Sequence, residues 1–219
     1  DIGKALEDVD VIVCCTIANR DEEVAEMIAP YLKQDSVVLL SSGGLGSYVY
    51  RKVFDRKGLT SVVVGESCGN LFPCRLVKPG LCRIGLPLMK KNVAAFPYSD
   101  TPKLIEAFKD IWEFHAAGSI LECALNGPNL IGHIVLTILN AGAIENAKYT
   151  YYVFEQGVCI SAMNLADAMF AEKKQVMDAL GLPAGASPSG SYKKYLDPEC
   201  HDFDTFKRLA GPDKVTNRY

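Results

Sequence analysis

The sequence has no basic run and no basic stripe, which leaves nucleic-acid binding without support. Charged residues make up 22% of the chain and nearly balance, at a net charge of −3. No apolar stretch reaches the roughly 18 residues that span a bilayer. The longest rich segment, Ile131 to Ala143, is interrupted by His133 and Asn140. No signal peptide is visible. None of the eight cysteines forms a CxxC, and the chain is not short and polar as disulfide scaffolds are. Most cysteines lie in apolar runs such as Val13-Cys14-Cys15, and they read as reduced core residues of a cytoplasmic protein. Cys200 and His201 lack the two further ligands of a structural zinc site, so no metal is expected. There are no internal repeats and no low-complexity tract. There is no initiator Met, and no capping signal at Asn217-Arg218-Tyr219, so a fragment of a longer protein is expected.

What is present is a chain of 219 residues, 49% of them hydrophobic, enough to bury a sizeable core. Val9 to Ile17 is a nearly continuous β-branched run, the pattern of a strand buried on both faces. Asn19 or Asp21 can cap a helix from Glu22 to Lys33. Ser36 to Leu40 is a second strand. A glycine-rich turn, Ser41 to Ser47, leads into a helix ending near Phe54, and Ser61 to Gly65 is a third strand. This βαβαβ alternation predicts a mostly parallel sheet with right-handed crossovers. Leu71 to Pro97 carries four prolines and reads as antiparallel edge strands. Asp100 then caps a helix. From about Asn126 the pattern turns helical, with one long helix from Asn129 to Ala147 and another from Ser161 to Leu180. Gly181 is a stop signal. A short helix is expected over Phe203 to Leu209. The fold class is therefore α/β followed by an all-α domain, with a boundary near 120–127.

Open parallel sheets bind ligands at the carboxyl ends of their strands. Two turns lie there: one holding Thr16 and Ala18, the other Ser42, Gly43 and Gly44. Glycines at such a turn let the backbone approach a ribose or nicotinamide and expose amide donors. No Lys follows the turn, so it is not a Walker loop, and no GxGxxG occurs anywhere. His133 is the most informative single residue. A lone histidine on an apolar helix is more often a core residue. Here Asn126, Asn129 and Gly132 gather near the same helix start, and Asn129 shares a face with His133 if the helix includes both. That grouping suits a polarised substrate oxygen beside a proton-donating imidazole.

Asn129 to Glu145, with its Asn, His and apolar helix leading to Asn140-Ala-Gly-Ala-Ile-Glu145, resembles the start of the helical domain of the opine dehydrogenase family. Phe154 to Gly157, Ala171 to Leu182, the turn Ser41 to Ser47, Leu71 to Arg75 and Val93 to Thr101 resemble further family segments, in order along the chain. The resemblance implies a partial Rossmann-like domain over residues 1–124. A truncated helical domain of the 6-phosphogluconate-dehydrogenase-like type would follow over 125–219. It implies an NAD or NADP cofactor, amino-acid and 2-keto-acid substrates, and reduction of their imine to a secondary amine. His133 matches the family's acid/base, with Asn126 and Asn129 beside the substrate. Arg218-Tyr219 matches the opening of a segment whose arginine holds a substrate carboxylate. The pyrophosphate-binding turn would then lie before residue 1. Ile134 stands where many members have Pro, and Gly127 replaces an Asn, which leaves substrate choice open. Homodimer formation is also open. The alternatives are a ketopantoate or 3-hydroxyacid reductase, and a dinucleotide-sensing module without chemistry. The first usually needs a Lys that residues 129–147 lack.

Overall fold

The valine-rich runs pair side by side in the computed structural model, which describes residues 1–71, 74–84, 90–147, 151 and 153–189. A first helix, α1 (Ile2–Leu6), is capped by Asp1, whose carboxylate accepts from the Gly3 and Lys4 amides. It precedes β1 (Val11–Cys14), α2 (Asp21–Ile28), β2 (Val37–Leu40), α3 (Gly46–Arg56) and β3 (Val63–Ser67). The three strands are parallel, with Val11 opposite Val37 and Val37 opposite Val63. Next come β4 (Cys74–Lys78) and β5 (Leu81–Ile84), an antiparallel pair forming a sheet of their own. Then β6 (Lys90–Ala95) returns to the main sheet, followed by α4 (Thr101–Phe108), β7 (Glu113–Ala116) and α5 (Ile120–Leu125). The main sheet has the order β1-β2-β3-β6-β7 and is parallel except where β6 meets β3.

Side chains alternate across a strand, and this builds two cores in the first unit. Val38 and Leu40 of β2 pack with Tyr50 and Phe54 of α3 on one face. Val37 and Leu39 pack with Leu104, Phe108 and Phe114 on the other. The chain divides into two compact units, Asp1–Leu71 with Leu88–Gly127, and Phe72–Pro87 with Pro128–Tyr219.

Several expectations are corrected. β1 is not buried on both faces: Val13 is 36% exposed and only Cys14 is buried, because β1 pairs with β2 alone. The helix expected to Lys33 ends at Ile28, where Pro30 turns the chain into a 3-10 turn over Ala29–Tyr31. Neither Asn19 nor Asp21 caps α2; Arg20 holds that position without a side-chain bond, and Asp21 opens the helix. β6 is an interior strand rather than an edge. α5 was missed, although Ser119 and Glu122 form a capping box: Ser119 Oγ accepts from the Glu122 amide, and the Glu122 carboxylate accepts from the Gly118 amide.

In the second unit the single helix expected over 129–147 is three pieces: a 3-10 turn over Pro128–Leu130, α6 (Gly132–Leu139) and α7 (Ala141–Asn146). Asn140 makes the break. Its amide donates to the carbonyls of Leu136 at 2.8 Å and Gly157 at 3.1 Å, and its oxygen accepts from the Tyr151 hydroxyl at 2.8 Å. Then come α8 (Val153–Gln156) and the 20-residue α9 (Ile160–Ala179). Gly181 stops the chain there with a positive φ of 68°, as read. Ile131, Val135, Leu136, Val158, Ala162, Met163 and Ala166 form the core of this unit. The helix read over Phe203 to Leu209 lies outside the described residues. Among the described residues no helix is long and apolar enough to cross a membrane. Among the described cysteines the core reading holds only for some: Cys14 and Cys123 are buried, whereas Cys15, Cys74, Cys82 and Cys159 are exposed.

Gly65 marks the tightest crossing in the main sheet. A Cβ there would lie 2.5 Å from Leu104 Cδ2 and 2.7 Å from the Ala94 carbonyl oxygen. Gly65→Ala is therefore expected to lower stability by about 1–3 kcal/mol through overpacking. Chemical denaturation of the two proteins measures it; an unchanged midpoint would show that α4 can retreat freely.

Candidate functional site

Because β1, β2 and β3 are parallel, their carboxyl ends share one edge of the sheet. The turns that follow them are stitched together there. The Ser41 amide donates to the Cys14 carbonyl at 2.9 Å, and the Ser42 amide donates to Ser67 Oγ at 3.1 Å. The turn after β2 is conformationally costly: Ser42, Gly44 and Leu45 have φ of 90°, 146° and 67°. Two of these carry side chains in a region that costs on the order of 1–3 kcal/mol each.

What holds the turn is Glu66. It lies fully buried in β3, and its carboxylate accepts four hydrogen bonds: from the amides of Gly44 at 3.2 Å, Leu45 at 3.3 Å and Ser47 at 3.1 Å, and from Ser47 Oγ at 2.7 Å. The amide donors expected to face a ligand are thus occupied by an internal carboxylate at residues 44, 45 and 47. An anion already sits at the amino end of α3. Glu66 was missed because the third strand was ended at Gly65; an acid directly after a valine run was the available signal. Gly43 is required for closeness, since a Cβ there would lie 3.0 Å from Glu66 Oε1 and 3.1 Å from the Cys123 carbonyl. Gly44 has open space on that side, with no atom within 4 Å, and is required for its φ.

A second acid flanks the same helix end. Asp21 is 7% exposed, and its Oδ2 would lie 2.5 Å from a Cβ on Gly46. Burial pushes its carboxyl pKa up, and the nearby Glu66 charge pushes it further. Thr16, Ala18, Ser42 and Gly44 are exposed at this edge, and Gly43 is half-buried. Asn126 ends α5 in the same unit, half-buried, its backbone N–H donating to the Glu122 carbonyl at 2.9 Å.

The other candidates belong to the second unit. His133 is exposed in the first turn of α6. Asn129 is exposed in the preceding 3-10 turn, so the two do not share one α-helix as the spacing had suggested. Arg218 lies outside the described residues. His115 sits in β7, with Nε2 3.3 Å from Glu113 Oε1, both exposed. No group of three metal-ligating side chains occurs among the described residues.

Comparison with known proteins places this geometry. Residues 116–219 match the family model described as NAD/NADP octopine/nopaline dehydrogenase, alpha-helical domain. The chain is 26% identical over 233 residues to an opine dehydrogenase of Arthrobacter sp. (strain 1C), a match covering 100% of this chain and 63% of that protein. It thus spans under two thirds of that relative's length. Among solved structures it is similar to octopine dehydrogenase in complex with NADH and agmatine, with a TM-score of 0.67 at 15% identity. That match covers 100% of this chain and 56% of the other. It is also similar to octopine dehydrogenase with NADH and L-arginine, with a TM-score of 0.62 at 16% identity, over 99% and 56%. These matches bear out the resemblance read from the sequence and its fold, a Rossmann-like sheet domain followed by helices. The first unit fits a dinucleotide at its strand ends in one respect and refuses it in another. Exposed Thr16 and the open side of Gly44 leave room for a sugar or ring, while Glu66 takes the amides a phosphate would need.

The two acids predict opposite effects. Glu66→Gln leaves amide donors of the turn without an acceptor, and should lower stability by about 1–3 kcal/mol. Asp21 behaves differently. Its folded pKa lies above the ordinary 3.8, so its ionisation opposes the fold, and stability falls as pH rises from 3.8 through the raised value. Asp21→Asn should remove that fall and raise Tm at pH 7. Melting curves between pH 4 and 8 check both; a lower Tm for Asp21→Asn at pH 7 contradicts the assignment.

Proposed function

We propose that this chain is part of an NAD(P)-dependent oxidoreductase that reduces the imine of an amino acid and a 2-oxo acid to a secondary amine. The reading is supported above all by the match to an opine dehydrogenase that runs the whole length of the chain. The family model over 116–219 includes the His133 region. The solved neighbours are described with NADH and with L-arginine or agmatine, which points to the same pairing of dinucleotide and amine.

The residues of the chain divide the work. Thr16, Ala18, Ser42, Gly43 and Gly44 would border the nicotinamide half of NADH or NADPH, which supplies hydride to the imine carbon. His133 carries an imidazole, a group that ordinarily titrates near neutrality. Condensation of amine and ketone must shed water, and the reduced nitrogen must gain a proton; an exposed imidazole can relay both protons. Asn126 and Asn129 offer amides to a polarised oxygen. Arg218 would hold a carboxylate of the 2-oxo acid or amino acid through a bidentate guanidinium.

The test uses the full-length protein. NADH or NADPH oxidation should require both an amino acid and a 2-oxo acid; consumption of the 2-oxo acid without any amine would favour a simple hydroxyacid reductase instead. His133→Ala should lower kcat by about 10²- to 10⁴-fold and leave cofactor affinity intact. Arg218→Ala should mainly raise the KM of a carboxylate substrate, by the equivalent of about 2–5 kcal/mol if that contact is buried. Wild-type kcat in His133→Ala at every pH from 6 to 9 would falsify the acid/base role.

A further inference from the structure

Helix α6 is short, and its apolar stripe settles where it lies more than how it is rolled. Val135 and Leu136 are buried in one core cluster with Met163 and Ala166 of α9. Burial of that kind is non-directional. Direction comes from the carboxyl end of the helix. Asn140 follows it, and an amide nitrogen there has two hydrogens to give. It donates to the Leu136 carbonyl at 2.8 Å and to the Gly157 carbonyl at 3.1 Å, while the side-chain oxygen accepts from the Tyr151 hydroxyl at 2.8 Å. The first bond satisfies one of the carbonyls that a helix end leaves open. The other two tie that end to the residues before and after α8. Space is reserved for the amide: a Cβ on Gly157 would lie 2.6 Å from the Val153 carbonyl oxygen and 2.9 Å from Asn140 Nδ2.

His133 is exposed at the other end of α6, seven residues before Asn140. At 3.6 residues per turn the two positions fall on one side of the helix, about 20° apart around it and about 10 Å apart along it. A roll of α6 that breaks the Asn140 bonds therefore swings His133 with it. At that separation Asn140 acts through the helix and not by contact with a group bound at His133. The side chain also suits the task by its chemistry. An apolar residue at 140 would leave the roll to packing alone, and an aspartate would set a charge against two carbonyl oxygens.

We propose that Asn140, clamped by Tyr151 and the Gly157 carbonyl, is a positioning residue for His133, fixing the roll of α6 and with it the aim of the imidazole. The assignment rests on the function proposed above, in which His133 moves the protons of imine formation and reduction. It gives the break in the apolar run at Asn140 a use: the residue that ends the helix also sets its orientation. A displacement of about 1 Å at a reacting group can cost on the order of a hundredfold in rate. Loosening the clamp should thus be felt in kcat rather than in dinucleotide binding.

Steady-state kinetics of the full-length protein test it, with pyruvate, the common amino acids in turn, and NADH or NADPH, in a double-mutant cycle with His133→Ala. Tyr151→Phe should lower kcat by about three- to tenfold and Asn140→Ala by about ten- to a hundredfold, with the KM of the dinucleotide held within about twofold. In the His133→Ala background the same substitutions should change kcat by less than about twofold, because the group they aim is gone. An equal loss in both backgrounds is a general loss of folded enzyme and overturns the assignment. Tyr151→Phe removes one hydroxyl, so it carries the test by itself if Asn140→Ala does not fold. If His133→Ala loses kcat while Tyr151→Phe and Asn140→Ala keep the wild-type value, the positioning role fails alone. Wild-type kcat in His133→Ala removes the acid/base reading and this inference together.

Discussion

The turn between β2 and α3 could not keep its shape without the buried charge beneath it. Three residues with positive φ in a span of four, two of them not glycine, is a conformation the backbone leaves unless something holds it. Glu66 holds it by accepting three amides and a hydroxyl at once. The carboxylate is in turn tolerated in the sheet because those donors and the amino end of α3 replace its water. Turn and charge stabilise each other, and neither is sensible alone. The close approaches around them follow: Gly43 beside the α5 backbone and Gly46 beside Asp21 are positions where only a missing side chain fits.

This arrangement changes what a glycine-rich turn means. In many dinucleotide folds, a turn of this kind offers its amides to phosphate. Here the same donors are turned inward on an acid of the protein's own. The amides of Gly44, Leu45 and Ser47 are therefore already taken and do not face outward as donors.

The strands and helices whose patterns were unbroken were legible in the sequence. β2, α3 and α9 all lie within two residues or so of where valine runs or helical spacing put them. Legibility failed where a side chain overrode the local pattern. Asn140 looks harmless within an apolar helix, yet its amide captures the Leu136 carbonyl and ends the helix there. Glu66 looks like the start of a loop, because nothing local reveals that four donors converge on it. β7 is short and mostly exposed, and only its pairing with β6 makes it a strand. His133 and the glycine turn were visible because they are unusual for their surroundings.

The reversed direction of β6 has a consequence for where the chain leaves the sheet domain. Strands β6 and β7 run opposite to the first three, and their register sets Ala116, the last residue of β7, level with Val93 and Ser67, at the carboxyl end of β3. Helix α5 starts from that end and brings the Cys123 carbonyl to within 3.1 Å of a Cβ built on Gly43. The pair of inverted strands thus acts as a routing device, setting the final helix of this unit against the turn between β2 and α3.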